Sequence, residues 1–104
     1  MVKDESYEIA DYVENEFYNN KEDFKQVDYI GDDNKKYDYV IEWSTLQDLI
    51  YNAVANLELK LFHYADNKED AECYFEIEND VRGILGYRGF ATNFENGDLY
   101  LLQD

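Results

Sequence analysis

Tyr37-Asp38-Tyr39-Val40-Ile41-Glu42-Trp43-Ser44-Thr45-Leu46-Gln47-Asp48-Leu49-Ile50 changes its period partway along, and that change decides the fold. Residues 37–43 are rich in aromatic and β-branched side chains, the composition of a strand. From Leu46 the apolar positions fall instead at 46, 49, 50, 53, 54 and 57, the spacing of one helix face. Ser44 stands three residues before Gln47, a capping-box spacing that places the helix start.

Upstream, residues 24–30 have the same strand composition as 37–43. The cluster Gly31-Asp32-Asp33-Asn34-Lys35-Lys36 between them supplies turn formers, so the two predict a β-hairpin. Before the hairpin, Ile9, Ala10, Val13 and Phe17 recur at helical spacing over residues 4–20. Asp4 and Glu5 lie where a helix N-terminus favours negative charge.

Downstream, the apolar stripe runs on through Leu57, Leu61 and Tyr64, so the second helix is expected over residues 44–64. Residues 57–64 also alternate as a strand would. Their Leu, Glu and Lys are helix formers and no β-branched residue appears, which favours helix over a hairpin across 57–78. After Ala65-Asp66-Asn67, the residues Tyr74, Ile77, Val81, Ile84 and Leu85 predict a third helix over 68–85, with Gly83 weakening its last turn and Gly86 as its cap. Residues 90–94 and 99–102 flank Glu95-Asn96-Gly97-Asp98, whose Asn-Gly step predicts a second hairpin. The order α-β-β-α-α-β-β makes an α+β fold, a single compact domain over residues 1–104 with antiparallel hairpins.

A chain of 104 residues holds one hydrophobic core. Its 25 acids against 9 Lys and Arg leave a net charge of −16, beyond the magnitude of about 2–8 that keeps a small domain soluble. High charge also marks disordered chains, but 17% aromatic residues and clear apolar periodicity supply the burial such chains lack. The charge repels nucleic acid and anionic membranes, so neither is expected as a direct partner. No signal-peptide pattern opens the chain, no apolar run nears the ~18 residues of a membrane span, and Cys73 is the only cysteine, so the expected location is the cytoplasm.

Parts for catalysis are scarce, and the expectation is a protein that is not an enzyme. His63 is the only histidine, and Ser6, Ser44 and Thr45 fall where helices start. A Cys73/His63 pair is conceivable, but a lone buried cysteine is usually a small core residue. Carboxylate pairs carry no specificity among 25 acids. Asp66, Glu69, Asp70 and Glu72, like Asp32, Asp33 and Asn34, lack the spacing of a calcium loop, and no phosphate loop or zinc spacing is present. No metal and no cofactor is expected.

The pattern of the acids says more than their number. On helical wheels Asp4, Glu8 and Asp11 form a stripe opposite Ile9, Val13 and Phe17, and Glu69, Glu72, Glu76 and Asp80 form another, away from Ile77, Val81 and Ile84. Neighbouring acids at i and i+4 repel by a few tenths of a kcal/mol. A charge run is ordinarily a solvated face, yet duplex DNA carries one charge per ~1.7 Å of axis, so −16 matches ~27 Å of duplex, close to the size of the domain. The expected contact residues are therefore Asp4, Glu8, Asp11, Asp32, Asp33, Glu69, Glu72, Glu76 and Asp80. Tyr7, Tyr12, Tyr18, Tyr29 and Tyr37 could add contact area beside them.

In size, acidity, lack of catalytic residues and small α+β build, the chain resembles the phage-encoded inhibitors of bacterial defence, the anti-CRISPR and antirestriction proteins that imitate DNA. The resemblance is one of overall character. It implies a partner protein with a basic, nucleic-acid-binding surface, such as a CRISPR-Cas nuclease or restriction enzyme, met in the cytoplasm of a bacterial host. The chain is similar in the same way to immunity proteins that neutralise a basic nuclease toxin. A non-catalytic acidic interaction domain is the third reading.

Overall fold

The computed structural model describes residues 4–30, 34–59, 68–93 and 95–101, with backbone alone at 68–71 and 101. Helix α1 spans Asp4–Asn19, and a short 3-10 turn, Lys21–Asp23, leads to strands β1, Lys25–Ile30, and β2, Lys36–Ile41. Helices α2, Trp43–Asn56, and α3, Lys68–Gly86, precede β3, Phe90–Thr92, and β4, Leu99–Leu101. The α+β architecture and the element order are those read from the sequence. The turn residues 31–33, and with them Asp32 and Asp33, lie outside the described residues, as do Leu61, His63, Tyr64 and Asp66.

The two hairpins join edge to edge into one antiparallel sheet of order β1-β2-β4-β3. Register assigns its faces, because directly paired residues point the same way. Tyr39 and Phe90 both pair with residue 101, and Ile41 and Thr92 with Leu99, which puts Tyr39, Ile41, Phe90 and Leu99 on the face toward the helices. Val40, Tyr100 and Ala91 occupy the opposite face, where Tyr29 stacks on Tyr100 at 4.0 Å. The core gathers Ile9, Val13 and Phe17 of α1, Leu46, Ile50 and Ala53 of α2, and Ile77, Val81 and Leu85 of α3 against that inner face. Phe17 is its aromatic hub, with ring centroids 5.1 Å from Phe24, 5.5 Å from Tyr39 and 6.2 Å from Phe90.

Three local readings are corrected. Helix α2 begins at Trp43, so Ser44 lies inside its first turn. The cap residue is Glu42, which makes no side-chain cap bond. A carboxylate from the far end of the chain takes that role, as the Trp43 N–H donates to Asp98 Oδ1 at 3.0 Å. At its other end α2 stops at Asn56, short of residue 64. Leu59 N–H bonds Val54 O at 3.0 Å and Glu58 N–H bonds Ala55 O at 3.3 Å, a Schellman closure with Glu58 in the left-handed region at φ 56°. Leu59 then folds back on the core, which ends the helix although the apolar stripe continues in sequence. Gly86, read as the cap of α3, is its last helical residue, and the left-handed position is Gly89 at φ 98°.

Glu58 is doubly unfavourable where it sits. A side chain with a Cβ is strained at positive φ, and its negative charge faces the negative end of the α2 dipole. Glu58→Gly should stabilise the fold by about 0.5–1 kcal/mol and raise the melting temperature by a few degrees. Thermal unfolding of the two proteins checks this, and a drop in melting temperature would contradict it.

Candidate functional site

Helix α1 carries six acids and no base, and α3 six acids and two bases, so these two elements hold −10 of the −16. They pack against each other and run in the same direction, since Ser6 meets Asp80 while Asp11 and Glu14 meet Arg88. Asp4 and Glu8 are exposed on α1, and Glu72 and Glu76 on α3. The fold therefore brings much of both predicted stripes onto neighbouring helices. Glu69 lies on α3, at a position where only the backbone is described.

Two of the predicted acids have internal duties. Asp11 remains 60% exposed yet accepts from Arg88 Nη1 at 2.7 Å, and Glu14 takes the same nitrogen at 2.8 Å. These bonds raise the Arg88 pKa further above its usual value, chiefly through Asp11. Asp80 is half-buried and accepts a 3.2 Å hydrogen bond from Ser6 Oγ. Ser6, expected at a helix start, is instead fully buried between α1 and α3. Of the tyrosines, Tyr7 and Tyr18 are exposed on α1, Tyr12 and Tyr29 are half-buried, and Tyr37 is buried and offers no contact area.

The largest group of cations lies elsewhere. Four of the nine, Lys21, Lys25, Lys35 and Lys36, fall within residues 21–36, against five acids there. Lys36 lies 3.5 Å from Asp28, and Lys21 sits over the Tyr18 ring at 5.2 Å. The first hairpin is close to neutral while the α1/α3 pair is densely negative. The negative charge is thus concentrated on α1 and α3.

Sequence reasoning missed a buried polar cluster at the start of α2. Glu78, only 6% exposed, accepts at one oxygen from Trp43 Nε1 at 3.0 Å and from the Tyr74 hydroxyl at 2.7 Å. Its other oxygen faces Arg82 Nε at 3.6 Å, and Arg82 Nη2 donates to Gly97 O at 2.6 Å. Gly97 stands at φ 80°, and a Cβ there would come within 3.1 Å of Trp43 Cγ, so the position requires glycine for both reasons. Burial, and then the bond to and charge of Glu78, push the Tyr74 hydroxyl well above its ordinary pKa. Unfolded tyrosine gives up its proton first, so this group opposes folding only above about pH 10. The Glu78/Arg82 spacing of four was present in the sequence, but among so many acids it did not stand out.

Beside this cluster opens a cleft of about 310 Å³, lined by Trp43, Asn79, Arg82, Thr92 and Glu95 among others. Among the described residues, no group of three or more His, Cys, Asp or Glu could hold a metal ion. Cys73 is half-buried on α3, and His63 lies outside the described residues. Among the described residues, no helix is long and apolar enough to cross a membrane. Comparison of the chain with protein-family models, curated proteins and solved structures found no match.

Proposed function

We propose that the protein is an acidic inhibitor that occupies the nucleic-acid-binding surface of a bacterial defence enzyme, a CRISPR-Cas nuclease or a restriction enzyme, in place of DNA. The observation that carries this reading is the paired α1/α3 face, with −10 held on two packed helices. Along its 38 Å long axis the domain carries one net charge per about 2.4 Å, against one per ~1.7 Å for duplex DNA. Averaged over its length, the domain thus offers a groove lined with Arg and Lys about 0.7 of the charge density of duplex DNA. Because the carboxylates sit on helices anchored to a core, they are ordered before contact, which limits the entropy lost on binding.

The reading assigns the binding to Asp4, Glu8, Glu72 and Glu76, with Asp11 available at the edge. A nuclease toxin offers the same basic chemistry as a defence nuclease, so assays of both kinds of enzyme identify which is inhibited. Association measured between 50 and 200 mM salt tests the electrostatic basis. The rate constant for binding should fall by about tenfold or more, as opposite charges lose their steering. A rate indifferent to salt would rule out polyanion substitution.

A further inference from the structure

We propose that Asn96 is a site of spontaneous deamidation which the folded turn holds in check, and that its isoaspartyl product unlatches the second hairpin from α2. This holds whatever the protein binds, because the residues concerned are not those of the acidic face.

The chemistry begins with the sequence. Asn96-Gly97 is the chain's one Asn-Gly step, and every other asparagine precedes a residue whose Cβ shields the following amide nitrogen. Gly97 leaves that nitrogen open. It gives its proton to hydroxide and attacks Asn96 Cγ, so that a new C–N bond closes a cyclic imide. The Cγ–Nδ2 bond breaks, and the departing nitrogen takes a proton from water and leaves as ammonia. A water molecule then opens the imide at either carbonyl, which yields an aspartyl or an isoaspartyl linkage at position 96.

The folded turn exposes Asn96 yet occupies the groups that must react. Gly97 N–H donates to Asn93 O at 2.8 Å, which retains the proton that has to leave. Asp98 N–H donates to Asn96 Oδ1 at 3.0 Å, which fixes the carboxamide. The turn is tied down in its own right. Asp98 Oδ1 accepts from the Trp43 backbone N–H at 3.0 Å, and Gly97 O accepts from Arg82 Nη2 at 2.6 Å. Reaction therefore waits for the turn to open, and its rate scales with the population of the open form.

The isoaspartyl product carries the main chain through the former side chain and lengthens it by a methylene. Gly97 has no slack to absorb this, since it stands at φ 80° with its Cβ position 3.1 Å from Trp43 Cγ. The added length moves Gly97 O off Arg82 and Asp98 off the start of α2.

Incubation of the full chain at mildly alkaline pH, in buffer and in urea, tests the proposal. Peptide mapping by mass spectrometry reads the conversion, and an isoaspartyl methyltransferase labels the isoaspartyl product. In urea Asn96 should react ahead of every other asparagine, and in buffer it should react at least about tenfold more slowly. Asp98→Ala removes the tie to Trp43, so it should raise the Asn96 rate at least about threefold in buffer and leave the rate in urea unchanged. The isoaspartyl form, separated by ion exchange, should melt more than about five degrees below the parent. Asn96→Asp has the new charge without the extra methylene and should melt within about two degrees of it. The proposal is overturned by equal Asn96 rates in buffer and urea, by another asparagine reacting first in urea, by a folded Asp98→Ala protein that reacts no faster, or by an isoaspartyl form that melts with the parent.

Discussion

Glu78→Ala should destabilise the fold by about 3–5 kcal/mol, a large part of the stability expected of a domain this size. The substitution strands the buried Arg82 guanidinium without its counter-charge and removes the acceptor shared by Trp43 Nε1 and the Tyr74 hydroxyl. Three groups lose the same carboxylate at once, and removing one member of a buried ion pair costs more than the pair itself contributes. Glu78→Leu combined with Arg82→Leu should recover part of the loss. It takes both charges away but still removes the acceptor that the indole N–H and the Tyr74 hydroxyl share. Urea unfolding of the single and double variants measures the difference. A loss below about 1 kcal/mol for Glu78→Ala would show that the cluster does not hold α2, α3 and the second hairpin together.

The second large effect concerns binding. Replacing Asp4, Glu8, Glu72 and Glu76 together by Lys should reduce association with the target by about a hundredfold or more, because it reverses the field on the face proposed to meet a basic groove. All four positions are exposed, so the fold should survive. A matched control reverses Glu22, Asp23, Asp28 and Asp48, which are also exposed and change the net charge equally, from −16 to −8. Only Asp48 lies on an α-helix, and none lies on α1 or α3. The control should lose at most about tenfold, the share due to net charge alone. Equal losses in the two proteins would mean that charge acts in bulk and that no particular face makes the contact.

Much of the fold was legible because its signals are local. Phe17 and its partners at helical spacing mark α1, and Asn96-Gly97 marks the second turn, with Gly97 in the left-handed conformation that the step favours. What escaped was set by residues distant in sequence. The cap on α2 comes from Asp98, 55 residues from Trp43, and nothing in the Ser44-to-Gln47 spacing announces it. The end of α2 was hidden because its left-handed residue is Glu58, where glycine would have marked the stop.

The candidate site divides in the same way. Helical periodicity placed Asp4, Glu8, Glu72 and Glu76 on exposed faces, but periodicity says nothing about which helices become neighbours. The α1/α3 pairing, and the diversion of Asp11 to Arg88 across 77 residues and of Asp80 to Ser6 across 74, arise only when the chain closes on itself. Glu78 is the sharpest case. It sits within the same acidic helix as Glu76 and Asp80, one turn from Arg82, and only its burial distinguishes a structural carboxylate from one offered to a partner.

The claim on which the functional account depends is that ordered acids take the place of a polyanion, and equilibrium competition tests it most directly. With the target enzyme held at fixed concentration and loaded with a labelled duplex, added protein should displace the duplex completely. Excess unlabelled duplex should in turn release the protein. A stable complex containing enzyme, duplex and protein together would contradict the account.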